Sequence, residues 1–312
     1  MSRHTETITV HMALSEYGDA VIYGSTVMRG YVSGTYLKHR LFAWHEVSFY
    51  GTELTVQAIQ DMEVVILPSE QVIPFFADGR LLEHIEWVWD EACLPFVELA
   101  PSLANCIQDK KYAPSLSAFK SGKLQWVWDA EAFTPEELNR ISLLHEDEMW
   151  DEGLRATFSA AVQDQCYGSE EAAADLRREY PLLFSQNRTA AEGMDDKQWL
   201  TAIGWRPDTA PFRPLLQLLE PDEEAPEWRL KLVLQDKQDA AGLAAVRLVE
   251  DGQAFGSWPE TWTAHIKERS PGWLQGLQAA LPARVLHAPE DDVLGKPLSD
   301  EAAWQFLTVD SQ

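Results

Sequence analysis

Phosphate chemistry is the first possibility to weigh, because Ser121-Gly122-Lys123-Leu124 carries the glycine–lysine pair of a phosphate-binding loop. Such a loop cradles phosphates with backbone N–H groups and needs an upstream glycine and a Ser or Thr directly after the lysine. Both are missing, so no cofactor-binding residue is assigned and no cofactor is expected. Asp90-Glu91-Ala92 follows the run Ile85-Glu86-Trp87-Val88-Trp89 and imitates an acidic box that holds magnesium and activates water. With no phosphate loop before it, the segment reads as amphipathic, its tryptophans packed inward and its acids in water.

Zinc chemistry fares no better. His145-Glu146-Asp147-Glu148 begins like a zinc-protease helix, but the second histidine due four residues after the first is absent; Met149 holds that position. The eight histidines (4, 11, 39, 45, 84, 145, 265, 287) are dispersed, and no pair has ligand spacing beside a Cys or Asp. The Gly-Ser pairs at 24–25, 168–169 and 256–257 lack the rest of a nucleophile elbow. No catalytic, metal or cofactor residue is assigned, and the chain is read as a non-enzyme.

Composition narrows the partners. The 312 residues carry 50 acids against 25 bases, a formal charge of −25. Nucleic-acid affinity comes mostly from Lys and Arg displacing counterions, and no basic run exceeds two residues (Lys110-Lys111, Arg177-Arg178). Direct duplex binding is therefore not expected; the acidity suits solubility or a basic surface on a partner. Hydrophobic residues at 46% and thirteen tryptophans indicate well-filled cores. Three scattered cysteines (93, 106, 166) make neither a disulfide framework nor a zinc site and suit a reducing cytoplasm. No apolar run approaches the ~18 residues of a membrane span, and no signal peptide is recognised at Met1–Thr7.

Periodicity supplies the elements. Thr7–Leu14, Ala20–Gly24, Leu54–Ile59 and Met62–Pro68 read as strands, with Gly18-Asp19 turning between the first two. A helix starts near Pro68-Ser69-Glu70, and 77–89 also reads as helical. Thr134-Pro135-Glu136-Glu137 gives a capped helix start, with the helix running to Trp150. Further helices are expected over 158–183, 195–200 (stopped by Gly204), 271–280 and 299–307, the last capped by Ser299. Strands are expected at 215–219, 228–234 and 246–250. Trp-Val-Trp-Asp occurs at 87–90 and again at 126–129, a separation of 39 residues; without a third copy, it reads as coincidence or as two strands or helix ends that use tryptophan alike.

The C-terminal third carries a resemblance. Its landmarks run Trp199-Leu200, Gly204-Trp205, Phe212-Arg213-Pro214-Leu215-Leu216-Gln217-Leu218 and Trp228-Arg229-Leu230-Lys231-Leu232-Val233-Leu234-Gln235-Asp236. They continue with Trp273-Leu274, Leu277 and Leu298-Ser299-Asp300-Glu301-Ala302-Ala303-Trp304-Gln305-Phe306-Leu307. The order resembles the N-terminal, helicase-associated extension of bacterial Swi/Snf-type superfamily-2 helicases, without the ATPase motor. The resemblance implies a regulatory or partner-binding piece of an ATP-dependent DNA translocase, with the motor domains as partner in cis or in trans. Its acidic stretches at 146–152 and 220–227 would suit the motor's basic DNA channel. A stand-alone acidic binding or scaffold protein of a larger complex or defence system is the alternative. The expected architecture is α+β, with a mixed α/β domain over 1–130, a helical segment over 131–205, and a small antiparallel sheet with helices over 206–312.

Overall fold

The computed structural model describes residues 7–280 and 293–305, apart from positions 29, 85, 147, 187, 189, 190, 224 and 250. Two compact units emerge, Met1–Ser115 with Lys123–Glu179, and Leu116–Gly122 with Tyr180–Gln312. The architecture is α+β, with a mixed sheet early, helices in the middle and a small antiparallel sheet with helices toward the C-terminal end.

The first unit is built on β1 (Thr9–Leu14), β2 (Ala20–Thr26), β3 (Gly30–Tyr31), β4 (Thr55–Ile59), β5 (Met62–Leu67) and β6 (Val88–Trp89). The strand order is β4-β5-β2-β1-β6 with β3 beside β2, and only the β1–β6 pair is parallel. Alternation explains β1: Val10, Met12 and Leu14 are buried while Thr9, His11 and Ala13 are half-buried. The unit's helices are α1 (Gly34–Leu41), α2 (Ser69–Ala77), α3 (Leu94–Gln108), α5 (Pro135–His145), α6 (Glu148–Tyr167) and α7 (Glu170–Glu179). A small hairpin, β7 (Tyr112–Pro114) with β8 (Trp126–Trp128), completes it. Its core runs through aromatic neighbours: Phe42 lies 4.5 Å from Phe75, Phe75 5.1 Å from Phe76, and Phe76 5.7 Å from Phe96, ring centre to ring centre.

Three helix readings are corrected. Residues 77–89 are not one helix: α2 ends at Ala77 because Asp78 turns the chain, accepting from the Arg80 backbone N–H at 3.1 Å, and Val88–Trp89 pairs with β1 instead. Thr134 and Glu137 do form a reciprocal capping box, but α5 stops at His145 and not at Trp150. At 100° per residue, one straight helix would set Trp150 about 180° from Ile141; the break lets both be buried. The 158–183 helix is likewise two, because Ser169 starts α7 by accepting from the Ala172 N–H at 3.1 Å. The two Trp-Val-Trp-Asp copies fall in strands of different sheets, β6 and β8.

The second unit contains α4 (Leu116–Lys120), α8 (Asp196–Ala202), β9 (Phe212–Leu219), β10 (Arg229–Asp236), β11 (Leu243–Leu248), β12 (Ala254–Gly256), α9 (Thr263–Ala280) and α10 (Asp300–Gln305). Its sheet runs β12-β11-β10-β9, antiparallel throughout. Leu230, Leu232 and Leu234 of β10 are buried in a core with Phe212, Val246, Trp262 and Ile266. Pro214 is tolerated because β9 is an edge strand, where a missing N–H costs no ladder bond. The chain after 292 returns to β10: the Leu294 and Leu298 N–H groups donate to the Leu230 and Trp228 carbonyls, each at 2.7 Å. Ser299 caps α10 as expected; the expected helix end at 306–307 lies outside the described residues, and the strand expected over 246–250 begins earlier and ends at Leu248.

Candidate functional site

The residues that the sequence offers for chemistry are placed in structural roles. Ser121 and Gly122 follow the C-terminal end of α4, where the Gly122 N–H donates to the Phe119 carbonyl at 2.9 Å and Ser121 Oγ to the Ser117 carbonyl at 3.1 Å. Phosphates favour helix N-termini with free N–H groups, so this is the wrong end. His145 closes α5 against the Asp151 carboxylate, which also accepts from Arg155 Nε at 2.8 Å. Burial pushes the Asp151 carboxyl up, yet Arg155 and His145 outweigh it and hold the group below its usual range. The trio pins the junction of α5 and α6. Among the described residues no three His, Cys, Asp or Glu side chains gather to hold a metal ion, and no helix is long and apolar enough to cross a membrane.

Asp90 has a more pointed neighbour. Its Oδ2 lies 3.2 Å from His11 Nδ1, and His11 Nε2 lies 2.8 Å from Ser25 Oγ. The imidazole stacks on Tyr23, centre to centre 4.6 Å. Carboxylate, imidazole and hydroxyl thus stand in the order that activates a serine nucleophile. Acyl transfer also needs donors aimed at a developing oxyanion, whereas Ser25 is a mid-strand residue paired with Thr9 on one side and Tyr31 on the other. The ladders occupy the backbone donors around it, and the relay serves to lock β1, β2 and β6 together. Sequence reasoning missed it, because positions 11, 25 and 90 meet only through strand pairing.

The features best suited to contact another molecule lie on the α1–β4 connection and the groove beside it. Trp44, Val47, Phe49 and Tyr50 are 50, 67, 63 and 50% exposed, an amount of apolar surface in one loop that marks a contact site more often than chance. The backbone that displays them is strained: Phe49, Tyr50 and Gly51 all take positive φ (49°, 57° and 81°). A left-handed conformation costs a residue with a Cβ roughly 1–2 kcal/mol, and such outliers gather at functional sites.

A buried polar knot holds that conformation. Ser48 Oγ donates to the His45 carbonyl at 3.2 Å and accepts from the Gly51 N–H at 3.0 Å. Its one hydrogen being spent, it accepts from His45 Nδ1 at 2.8 Å, which leaves His45 Nε2 as an acceptor. Burial pushes the His45 pKa down, so the ring stays neutral. The Tyr50 N–H closes the knot on the His45 carbonyl at 2.9 Å. His-x-x-Ser-Phe-Tyr-Gly carries a weak turn signal in its glycine alone, which is why the loop was not legible beforehand.

His45 and Val47 also line a groove of about 710 Å³ within the first unit, walled by α2 and the C-terminal ends of α3 and α6. Glu70, Asp78 and Asp164 line it with Lys110 as its one ammonium, and among the described residues the buried Gln71 Oε1 has no hydrogen-bond partner. Cys166 completes its far wall.

The second unit holds its own cavity, about 660 Å³, beside Trp273 and Met194. Asp208 there accepts from Arg269 Nη2 at 2.7 Å, from the Ala210 N–H at 3.0 Å and lies 3.1 Å from Lys237 Nζ. Burial would raise its pKa; these donors outweigh burial and hold the carboxyl at about 2. Each acid on this wall is matched by a base, Glu268 by Lys197, and Arg206 also lines it, so the cavity offers a largely stapled surface with one base in excess.

No family model and no solved structure matches the chain. One curated protein, named "Putative ATP-dependent helicase/translocase YwqA", from Bacillus subtilis (strain 168), is 26% identical over 310 residues. The similarity takes in 98% of this chain and 30% of that protein, so the chain spans less than a third of its relative's length. This chain is thus similar to a part of a helicase-like protein.

Proposed function

We propose that this chain is a non-catalytic, partner-contacting region of an ATP-dependent, Swi/Snf-type DNA helicase or translocase, and that it regulates the motor in cis or in trans. The observation that carries the reading is the similarity of nearly the whole chain to 30% of a protein described as a helicase/translocase. The landmark order from Trp199 to Leu307 supports the helicase-associated assignment within that family. The missing phosphate loop supports an accessory role over a motor role. The strained, exposed aromatic loop supports contact with another polypeptide. A charge of −25 supports a basic partner surface, with the motor's DNA channel as the candidate.

Calorimetric titration of this chain into the motor polypeptide of the same gene or operon tests the reading. Binding that weakens as salt rises is the expected result. No heat and no co-sedimentation at low salt would remove the regulatory role.

A further inference from the structure

The groove of the first unit carries three carboxylates, Glu70, Asp78 and Asp164, against one ammonium, Lys110. Among the described residues, the buried Gln71 Oε1 has no hydrogen-bond partner. The Asp164 carboxylate has no side-chain partner among the described residues, while Glu70 has only a 3.4 Å contact from Ser69 Oγ. His45 presents Nε2 as a neutral acceptor, because Ser48 fixes the ring hydrogen on Nδ1. Asp78 is already committed to Arg80, at 2.7 Å and 2.9 Å. Between these acceptors the wall is apolar, with Val47 and Ile107 among the residues that line it.

We propose that this groove receives an arginine side chain from a partner polypeptide segment flanked by apolar residues. A guanidinium offers five N–H donors in a plane and accepts nothing, which matches a wall where three carboxylates outnumber the one ammonium of Lys110. Its methylene stem packs against apolar surface while the charged head reaches the polar end. A segment and not a small cation is indicated because Trp44, Val47, Phe49 and Tyr50 extend the apolar footing along the adjoining loop. The inference rests on the partner-contacting reading and specifies its chemistry.

The test is fluorescence anisotropy of the full chain with a fluorescein-tagged Gly-Leu-Arg-Leu-Gly peptide and its citrulline counterpart, which keeps the shape and loses the charge. The arginine peptide binds and the citrulline peptide binds at least about threefold more weakly. Asp164→Asn and Gln71→Leu each weaken the arginine peptide by about threefold. Asp300→Asn with Glu301→Gln, a charge removal in the second unit, leaves it unchanged. Circular dichroism confirms that each variant is folded. Equal weakening by the second-unit variant, or equal binding of the two peptides, overturns the proposal in favour of diffuse attraction to an acidic chain, and no binding overturns it outright. The motor is absent from this assay, so peptide binding without a motor complex would sink the regulatory reading alone. A motor complex that Asp164→Asn does not weaken would sink the groove alone.

Discussion

A Cβ built on Gly153 would stand 2.4 Å from the Cβ of Leu14, so α6 approaches β1 at a separation that only glycine permits. The same contact explains a second glycine. Gly18, at φ +87° in the β1–β2 turn, would bring a Cβ to 2.4 Å from the Thr157 backbone nitrogen. Thr157, buried on α6, donates in turn to the Ser69 carbonyl at 2.8 Å, and the Asp19 carboxylate accepts from the Ser69 N–H at 2.9 Å. The hairpin, α2 and α6 are therefore registered through five small or polar residues, Gly18, Asp19, Ser69, Gly153 and Thr157. Gly153→Ala is expected to cost about 1–3 kcal/mol through overpacking; an unchanged urea midpoint would contradict the contact.

What the sequence made legible was what its local pattern determines. Alternating Leu230, Leu232 and Leu234 announced β10, and Thr134 with Glu137 announced the start of α5, because each signal is complete within a few residues. The end of α5 was not legible. Nothing near His145 forbids a helix, and the break exists because Ile141 and Trp150 must both reach a core assembled from distant strands. The same holds for His11, Ser25 and Asp90, which come together only once β2 and β6 flank β1. The groove was not visible beforehand: its acids Glu70, Asp78 and Asp164 are scattered along the sequence, and the acidic stretches that stood out, 146–152 and 220–227, lie elsewhere.

The Asp208 clasp carries a pH signature. A carboxyl held at about 2, against an ordinary value near 3.9, contributes stability that is fully present above the ordinary value and is lost as pH falls toward 2. Asp208→Asn should lower stability at neutral pH by about 1 kcal/mol, allowing for solvent at a carboxylate one-third exposed. It should also flatten the loss between about pH 4 and pH 2, followed by the tryptophan emission of the second unit. A variant with the same acid limb as the parent would show that the clasp contributes nothing.

Thiol chemistry separates the three cysteines. Burial pushes Cys93 and Cys106 up to about 11, and both side chains are enclosed. Cys166, half-buried on the groove wall, should be the first to react with iodoacetamide at pH 8, since the thiolate is the reactive form. Peptide mapping after brief labelling reads this directly. Preferential modification of Cys93 or Cys106 would contradict the packing described.

Loop strain and function should trade against each other. Tyr50→Gly relieves a left-handed residue and is expected to raise stability by up to about 1 kcal/mol, while removing one of the displayed rings and weakening partner binding. Ser48→Ala should do the opposite to the backbone, freeing the loop and lowering stability by about 1–3 kcal/mol because His45 Nδ1 and the Gly51 N–H lose their acceptor. Chemical denaturation of both variants distinguishes a held conformation from an incidental one. A destabilised Tyr50→Gly would refute the strain argument.

The central proposal, that this chain regulates a helicase motor, is tested most directly by the steady-state ATPase rate of that motor. The rate is measured with the chain absent and with it in excess, across a titration of duplex DNA. The account predicts suppression at low DNA that rising DNA relieves, as competition for one basic channel requires. An ATPase rate indifferent to the chain at every DNA concentration would contradict it.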